Sequence, residues 1–166
     1  MKELIAKIHE LGIIQPGDHI LRAGEKTNFY IDIKAGYRDP EFLPLCAQSL
    51  HNIVPANTTC VAGIGIGGIP IATAYHLIYH IPLSPIRNTQ KDYGMEKQIE
   101  GYIPTTDDYV TILDDVFTTG SSITATAEIL KRFGVKNIQA CVIVERASPN
   151  LEFPVSSILT LKDLIK

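Results

Sequence analysis

An apolar run that ends in two adjacent acids and then a hydroxyl-rich glycine turn leaves a chain few folds to choose from. Here the run is Val110-Thr111-Ile112-Leu113, followed by Asp114-Asp115-Val116-Phe117 and then Thr118-Thr119-Gly120-Ser121-Ser122. Val110, Thr111 and Ile112 are β-branched, so the run predicts a buried central strand of a parallel sheet. Ile123, Ala127, Leu130 and Phe133 then recur at helical spacing, and Gly134 supplies a stop. A phosphate at that helix start would meet free backbone N–H groups and the positive end of the helix dipole. Thr118, Thr119, Ser121 and Ser122 add hydroxyl donors, and Asp114 and Asp115 stand where sugar hydroxyls or a metal would be held. One stretch thus offers a phosphate end and a hydroxyl end, which suits a phosphorylated sugar.

The pattern of strand, tight turn and helix occurs a second time. Cys60–Ile64 reads as a strand, Gly65-Ile66-Gly67-Gly68-Ile69-Pro70 as a turn, and a helix is predicted from about Ile69 to Tyr79. The turn has neither the G-x-x-x-x-G-K-[ST] nor the G-x-G-x-x-G spacing. Its glycines have two readings: close approach of backbone amides to an anion, or close packing of helix on strand. Ile138–Val144 is a further buried strand that ends in Glu145-Arg146, and a polar pair at that end of a core strand lies where open α/β sheets bind ligands. Alternation of strand and helix predicts a three-layer α/β fold with a largely parallel sheet.

The flanking segments are more polar. Leu4, Ile5, Ile8 and Leu11 share a helical face that Gly12 closes. Phe29, Ile31 and Ile33 alternate with Tyr30, Asp32 and Lys34, which predicts a half-exposed strand running to Lys34. The preceding residues 21–28 have the chemistry of a hairpin tip, so two antiparallel strands would form a small hood, with Arg22 and Lys26 either facing a site or simply solvated. Asp39-Pro40 predicts the start of a helix with Leu43, Ala47 and Leu50 buried. Ile81–Ile86 is a short strand, and Ile99–Ile103 a strand leading back. Between them, residues 87–98 form the most polar stretch of the chain, and Arg87, Lys91 and Lys97 make it either a cationic lid or a solvated loop. Ser156–Thr160 and Leu161–Ile165 read as a final strand and a helical turn.

With 166 residues the chain is expected to be one domain over 1–166, to which 1–36 and 150–166 contribute hood or edge elements. A net charge of −3 gives no support for a nucleic-acid surface. Cys46, Cys60 and Cys141 lie in apolar surroundings and form no C-x-x-C pair, so they read as core residues of a protein in a reducing cytoplasm. Neither a signal peptide nor a membrane span is expected.

Acid-acid, an apolar pair, then Thr-x-Gly-Ser between strand and helix resembles the phosphoribosyl-pyrophosphate (PRPP) signature of type I phosphoribosyltransferases. Residues 21–32, the Lys91-Asp92-Tyr93-Gly94 core of the 87–100 loop with Glu100-Gly101 after it, Glu145-Arg146, and Ile158–Leu164 resemble the members of that family that act on orotate. The resemblance implies a mostly parallel sheet flanked by helices with a small N-terminal hood, and transfer of the phosphoribosyl group of PRPP to orotate in pyrimidine biosynthesis. It implies that Asp114 and Asp115 hold the ribose hydroxyls, with Asp115 stabilising charge that develops on the ribose. Thr118, Thr119, Gly120, Ser121 and Ser122 would cradle the 5-phosphate. Gly65, Ile66 and Gly67 would form the pyrophosphate loop, joined by Arg87 and by Lys91 from the 87–98 loop of a partner subunit in a homodimer. Arg146 would pair with the orotate carboxylate, near Arg22, Tyr30 and Ile31. Mg2+ would enter on PRPP oxygens, with no direct protein ligand.

This chain departs from the family pattern at four positions. Asn88 stands where Lys is common, Gly67 where many members have Lys, Arg22 where Lys is usual, and Tyr93 where many bacterial forms have His. The missing cations leave open a regulator or inactive homologue on the same fold, and another nucleobase remains a second alternative.

Overall fold

The apolar runs pair side by side as five parallel strands in the computed structural model. It describes residues 1–20, 26–87, 98–147 and 149–165, and the backbone alone at 19, 20, 26 and 27. In chain order the elements are α1 (Lys2–Glu10), β1 (Ile14–Ile20), β2 (Lys26–Ile31), a 3-10 turn (Ile33–Arg38), α2 (Phe42–His51), β3 (Cys60–Ile64) and α3 (Gly65–Tyr79). There follow β4 (Leu83–Ile86), β5 (Tyr109–Phe117), α4 (Ser121–Arg132), β6 (Asn137–Glu145), β7 (Val155–Thr160) and α5 (Leu161–Leu164). The main sheet has the order β4-β3-β5-β6-β7, and all its pairs are parallel. β1 and β2 form a separate antiparallel pair, the expected hood. Together these elements are the type I phosphoribosyltransferase-like arrangement that the alternation and the resemblance anticipate.

Side chains leave the sheet on alternate faces and divide the core in two. From β6, Ala140 and Val142 join Ile123, Ala127 and Leu130 of α4. Cys141 and Ile143 face the other way, toward Leu4, Phe42, Leu50 and Ile71 of α1, α2 and α3. Burial of each such aliphatic side chain contributes roughly 1.5–3 kcal/mol. Cys46, Cys60 and Cys141 are buried free thiols within these clusters. Among the described residues no helix is long and apolar enough to cross a membrane.

Several predicted boundaries move. β5 does not stop at Leu113 but runs through both acids to Phe117, because Asp114 pairs with Val142 and Val116 with Val144 in the neighbouring strand. α3 begins at Gly65 and not at Ile69, so the glycines are its first turns. Contact with the sheet explains this: a Cβ on Gly63 would lie 2.6 Å from the Gly68 carbonyl oxygen, and one on Gly68 would lie 2.7 Å from that of Leu113. β2 ends at Ile31, and the 3-10 turn takes over. Ile33 still packs in the core, but Lys34 leaves the strand pattern. α2 begins at Phe42, because Asp39 and Pro40 form a lead-in turn in which Asp39 Oδ1 accepts from the Glu41 N–H at 2.9 Å. The return segment after residue 98 pairs only irregularly with β4, through Glu100 N–H to the Pro85 carbonyl and Tyr102 N–H to the Leu83 carbonyl, each 2.9 Å. Gly101, at φ +67°, interrupts it.

Candidate active site

Parallel pairing puts the carboxyl ends of β3, β4, β5 and β6 along one edge, and each delivers a polar group there. β3 delivers the start of α3, β4 delivers Arg87, β5 delivers the acid pair and the hydroxyl turn, and β6 delivers Arg146. Such an edge is where ligands bind in open α/β sheets.

The acid pair is held by its own backbone. Asp114 Oδ1 accepts from the Asp115 N–H at 3.0 Å, and Asp115 Oδ1 accepts from the Val116 N–H at 2.7 Å. Asp114 is 6% exposed. Its burial, and next the charge of Asp115, push its pKa up to about 7. Asp115 Oδ2 lies 3.3 Å from Lys34 Nζ, which also lies 3.3 Å from Asp32 Oδ1. Burial works against the Lys34 charge, but Asp115 and Asp32 outweigh it and raise its pKa. On the opposite wall a Cβ at position 67 would stand 2.8 Å from Asp115 Oδ1, so a side chain there would displace the carboxylate from its present place. The Tyr37 hydroxyl donates to the Gly67 carbonyl at 2.9 Å. Burial of that phenol, and next the nearby Asp115 charge, raise its pKa and keep it a neutral donor.

The hydroxyl turn leads directly into α4. Gly120, at φ +76°, makes the sharp bend and has no side chain with which to cap the helix. The Thr119 hydroxyl bonds the Ser121 side chain at 3.2 Å, and Ser121 and Ser122 are exposed on the first turn. The first turn of α3 likewise has no side-chain cap, and Ile66 there is 76% exposed. Two helix starts therefore flank the acid pair, each presenting backbone donors suited to an anion.

Arg87 Nε donates to Glu100 Oε1 at 2.8 Å, across a neck closed by the Arg87 N–H to Gln98 carbonyl bond of 2.9 Å. The Arg146 guanidinium lies 5.5 Å from the centroid of the Phe29 ring, which brings the hood over the end of β6. Tyr30 is half-buried beside Phe29, whereas Ile31 is 5% exposed and belongs to the core. The Ile31 side chain packs there because its strand partner is Ile14 and its face is the packed one. Arg22, Asn88, Lys91 and Tyr93 lie outside the described residues, as does the Lys26 side chain. The site also includes residues that alternation did not single out: Phe29, Asp32, Lys34, Tyr37 and Glu100. A cavity of about 420 Å³ lined by Phe117, Glu145 and residues 149–155 lies beside this edge and shares only Glu145 with the polar groups singled out in the sequence.

Residues 42–159 match the family model described as the phosphoribosyl transferase domain, so the fold and edge define a phosphoribosyltransferase. The chain is 38% identical over 154 residues to the orotate phosphoribosyltransferase of Methanocaldococcus jannaschii, covering 90% of this chain and 86% of that protein. It is 36% identical over 174 residues to that of Pyrococcus abyssi, covering 99% and 95%. The crystal structure of orotate phosphoribosyltransferase from Aeropyrum pernix superposes with a TM-score of 0.85 at 28% identity, covering 98% of this chain and 96% of that one. The chain belongs to the orotate phosphoribosyltransferase family.

Proposed function

We propose that the protein transfers the phosphoribosyl group of PRPP to a ring nitrogen of orotate, giving orotidine 5'-monophosphate and pyrophosphate for pyrimidine biosynthesis in the cytoplasm. The observation that carries this reading is the acid pair between two uncapped helix starts, with a guanidinium at the end of the adjacent strand. Asp114 and Asp115 accept the ribose hydroxyls, and the charge on Asp115 stabilises the oxocarbenium character that develops as pyrophosphate leaves. The turn Thr118, Thr119, Gly120, Ser121 and Ser122 holds the 5-phosphate. The amides of Gly65, Ile66 and Gly67 face the pyrophosphate. Arg87 exchanges Glu100 for that anion, with Lys91 brought from a partner subunit. Arg146 and Arg22 serve the acidic base, and Tyr30 lies beside it.

Among the described residues no three His, Cys, Asp or Glu side chains are grouped to hold a metal, and Asp115 already has Lys34 as a counter-charge. That donor set fits Mg2+ arriving on substrate oxygens, near the Asp114 and Asp115 carboxylates. When bound, the ion neutralises charge on the phosphates. Exposed Ile66 and Leu77 on α3 offer apolar surface that favours a homodimer.

The test is orotate consumption with PRPP and Mg2+ by wild type, Asp115→Asn and Lys91→Ala. Turnover by wild type and its loss in both variants is expected, whereas equal rates in all three would overturn the mechanism. Heterodimers of the two variants should recover activity if Lys91 acts across the interface.

A further inference from the structure

We propose that Lys34 is a positioning residue of the donor site, one that fixes and neutralises the Asp115 carboxylate from the opposite side of the edge. The proposal rests on the reading of Asp115 as the acid that meets the ribose.

Asp115 has a fixed neighbour at each of its oxygens. Its Oδ1 is taken by the Val116 N–H, and its carboxylate packs where a Cβ on Gly67 would be. Glycine at position 67 leaves that wall with no side chain to pair with it. Asp114 lies next to it, buried and of the same sign. The remaining oxygen, Oδ2, faces Lys34, which comes from 81 residues earlier in the chain. Among the described residues Lys34 is the one cation within ion-pair distance of Asp115.

The local chain is built to hold that ammonium in place. Asp32 steadies it from behind at 3.3 Å. The 3-10 turn that carries Lys34 also carries Tyr37, whose hydroxyl bonds the Gly67 carbonyl. Lys34, the glycine turn and Asp115 are thus fastened to one another as a unit. The charged groups around Lys34 are Asp32, Asp115 and Asp114, and the Tyr37 phenol stands on the same turn near the same three acids. The Lys34 ammonium also opposes the rise that burial imposes on the Asp114 pKa. An ionised carboxylate has about four lone-pair sites, so Asp115 can keep Lys34 on Oδ2 and still accept from a ribose hydroxyl.

The experiment compares Lys34→Met and Lys34→Arg with wild type. PRPP binding in the presence of Mg2+ is measured by titration calorimetry without orotate, the pH dependence of kcat/KM for PRPP is recorded, and thermal unfolding tracks the folded fraction. Partly exposed ion pairs add little to stability, so Lys34→Met should stay folded. Its PRPP affinity should fall about tenfold, about 1.4 kcal/mol of lost positioning. The acid limb of its profile should move to higher pH, because Asp114 loses the nearby positive charge that favours its ionised form. Lys34→Arg should restore most of both. Adding Asp115→Asn to Lys34→Met should cost much less than it costs wild type. Wild-type affinity and an unmoved acid limb in Lys34→Met would overturn the proposal, as would a loss that only follows the folded fraction. A wild-type protein that binds PRPP yet leaves orotate untouched overturns the acceptor reading, and the calorimetry still decides Lys34. A wild type that does not bind PRPP overturns both.

Discussion

Gly67 and Asp115 share one space: a Cβ on Gly67 would meet Oδ1, Cγ and Oδ2 of Asp115 at 2.8, 2.9 and 3.0 Å. The clash is with the far end of a side chain, which can rotate away. Gly67→Ala should therefore fold with a stability within about 1 kcal/mol of wild type, since Ala also favours the helix. Turnover should fall about a hundredfold, the scale expected when a catalytic group is displaced. Gly63→Ala makes the opposite case, because its Cβ would strike the Gly68 backbone at 2.6 Å. It should cost about 1–3 kcal/mol in urea denaturation.

Asp114 ties activity and stability to pH with opposite signs. Burial and the Asp115 charge raise its pKa to about 7. The kcat/KM for PRPP should therefore fall on the acid side of neutrality. A carboxyl whose folded pKa is raised weakens the fold as pH climbs from its unfolded value of about 3.9 toward the folded one. Asp114→Asn keeps the acceptor for the Asp115 N–H and removes that cost. It should be inactive yet unfold at a higher temperature than wild type at about pH 8, with the gap closing by about pH 4.

Asp108 shows the reverse sign. Burial opposes its charge, but the Thr105 N–H at 2.7 Å and the hydroxyls of Thr59, Thr105 and Tyr102 hold its pKa below the usual carboxylate value. This contribution is fully present above the unfolded pKa and is lost as pH falls through the folded one. Asp108→Asn should lower stability by about 2–3 kcal/mol at neutral pH. Its deficit should shrink below about pH 4. Denaturant midpoints at a series of pH values check this.

The contact between Arg146 and Phe29 should govern the acceptor alone. Phe29→Leu removes the ring face and should raise the KM for orotate about two- to fivefold, in line with a partly exposed cation–π contact. The KM for PRPP should stay unchanged. Arg146→Ala should raise the orotate KM by more than that. Equal effects on both substrates in steady-state kinetics would refute the assignment.

The sheet, the hood and the carboxyl-edge placement of the acid pair and Arg146 were legible because strands and helices alternate with clear apolar periods. Other features depended on partners distant in sequence. Asp114 and Asp115 look like the end of a strand, yet β6 pairs with them and carries β5 through. The glycines after Ile64 look like a loop, yet contact with Leu113 and Gly63 makes them helix. Alternation through Ile33 points Lys34 to solvent, whereas the chain leaves the strand at Ile31 and turns Lys34 toward Asp115. A period of two has no means of registering an ion pair formed across 81 residues.

The polarity of the parallel sheet has a consequence for how this enzyme can change over generations. The acid pair, both helix starts and Arg146 lie at one end of the strands. The Asp108 cluster and the buried Thr58–Thr111–Gln139 hydroxyl–amide network, with bonds of 2.8 and 2.9 Å, lie at the other. Substitutions that make the protein hardier or more fragile can accumulate at the second end without touching the chemistry at the first. Heat tolerance can thus change at the second end while acceptor choice at the first is left alone.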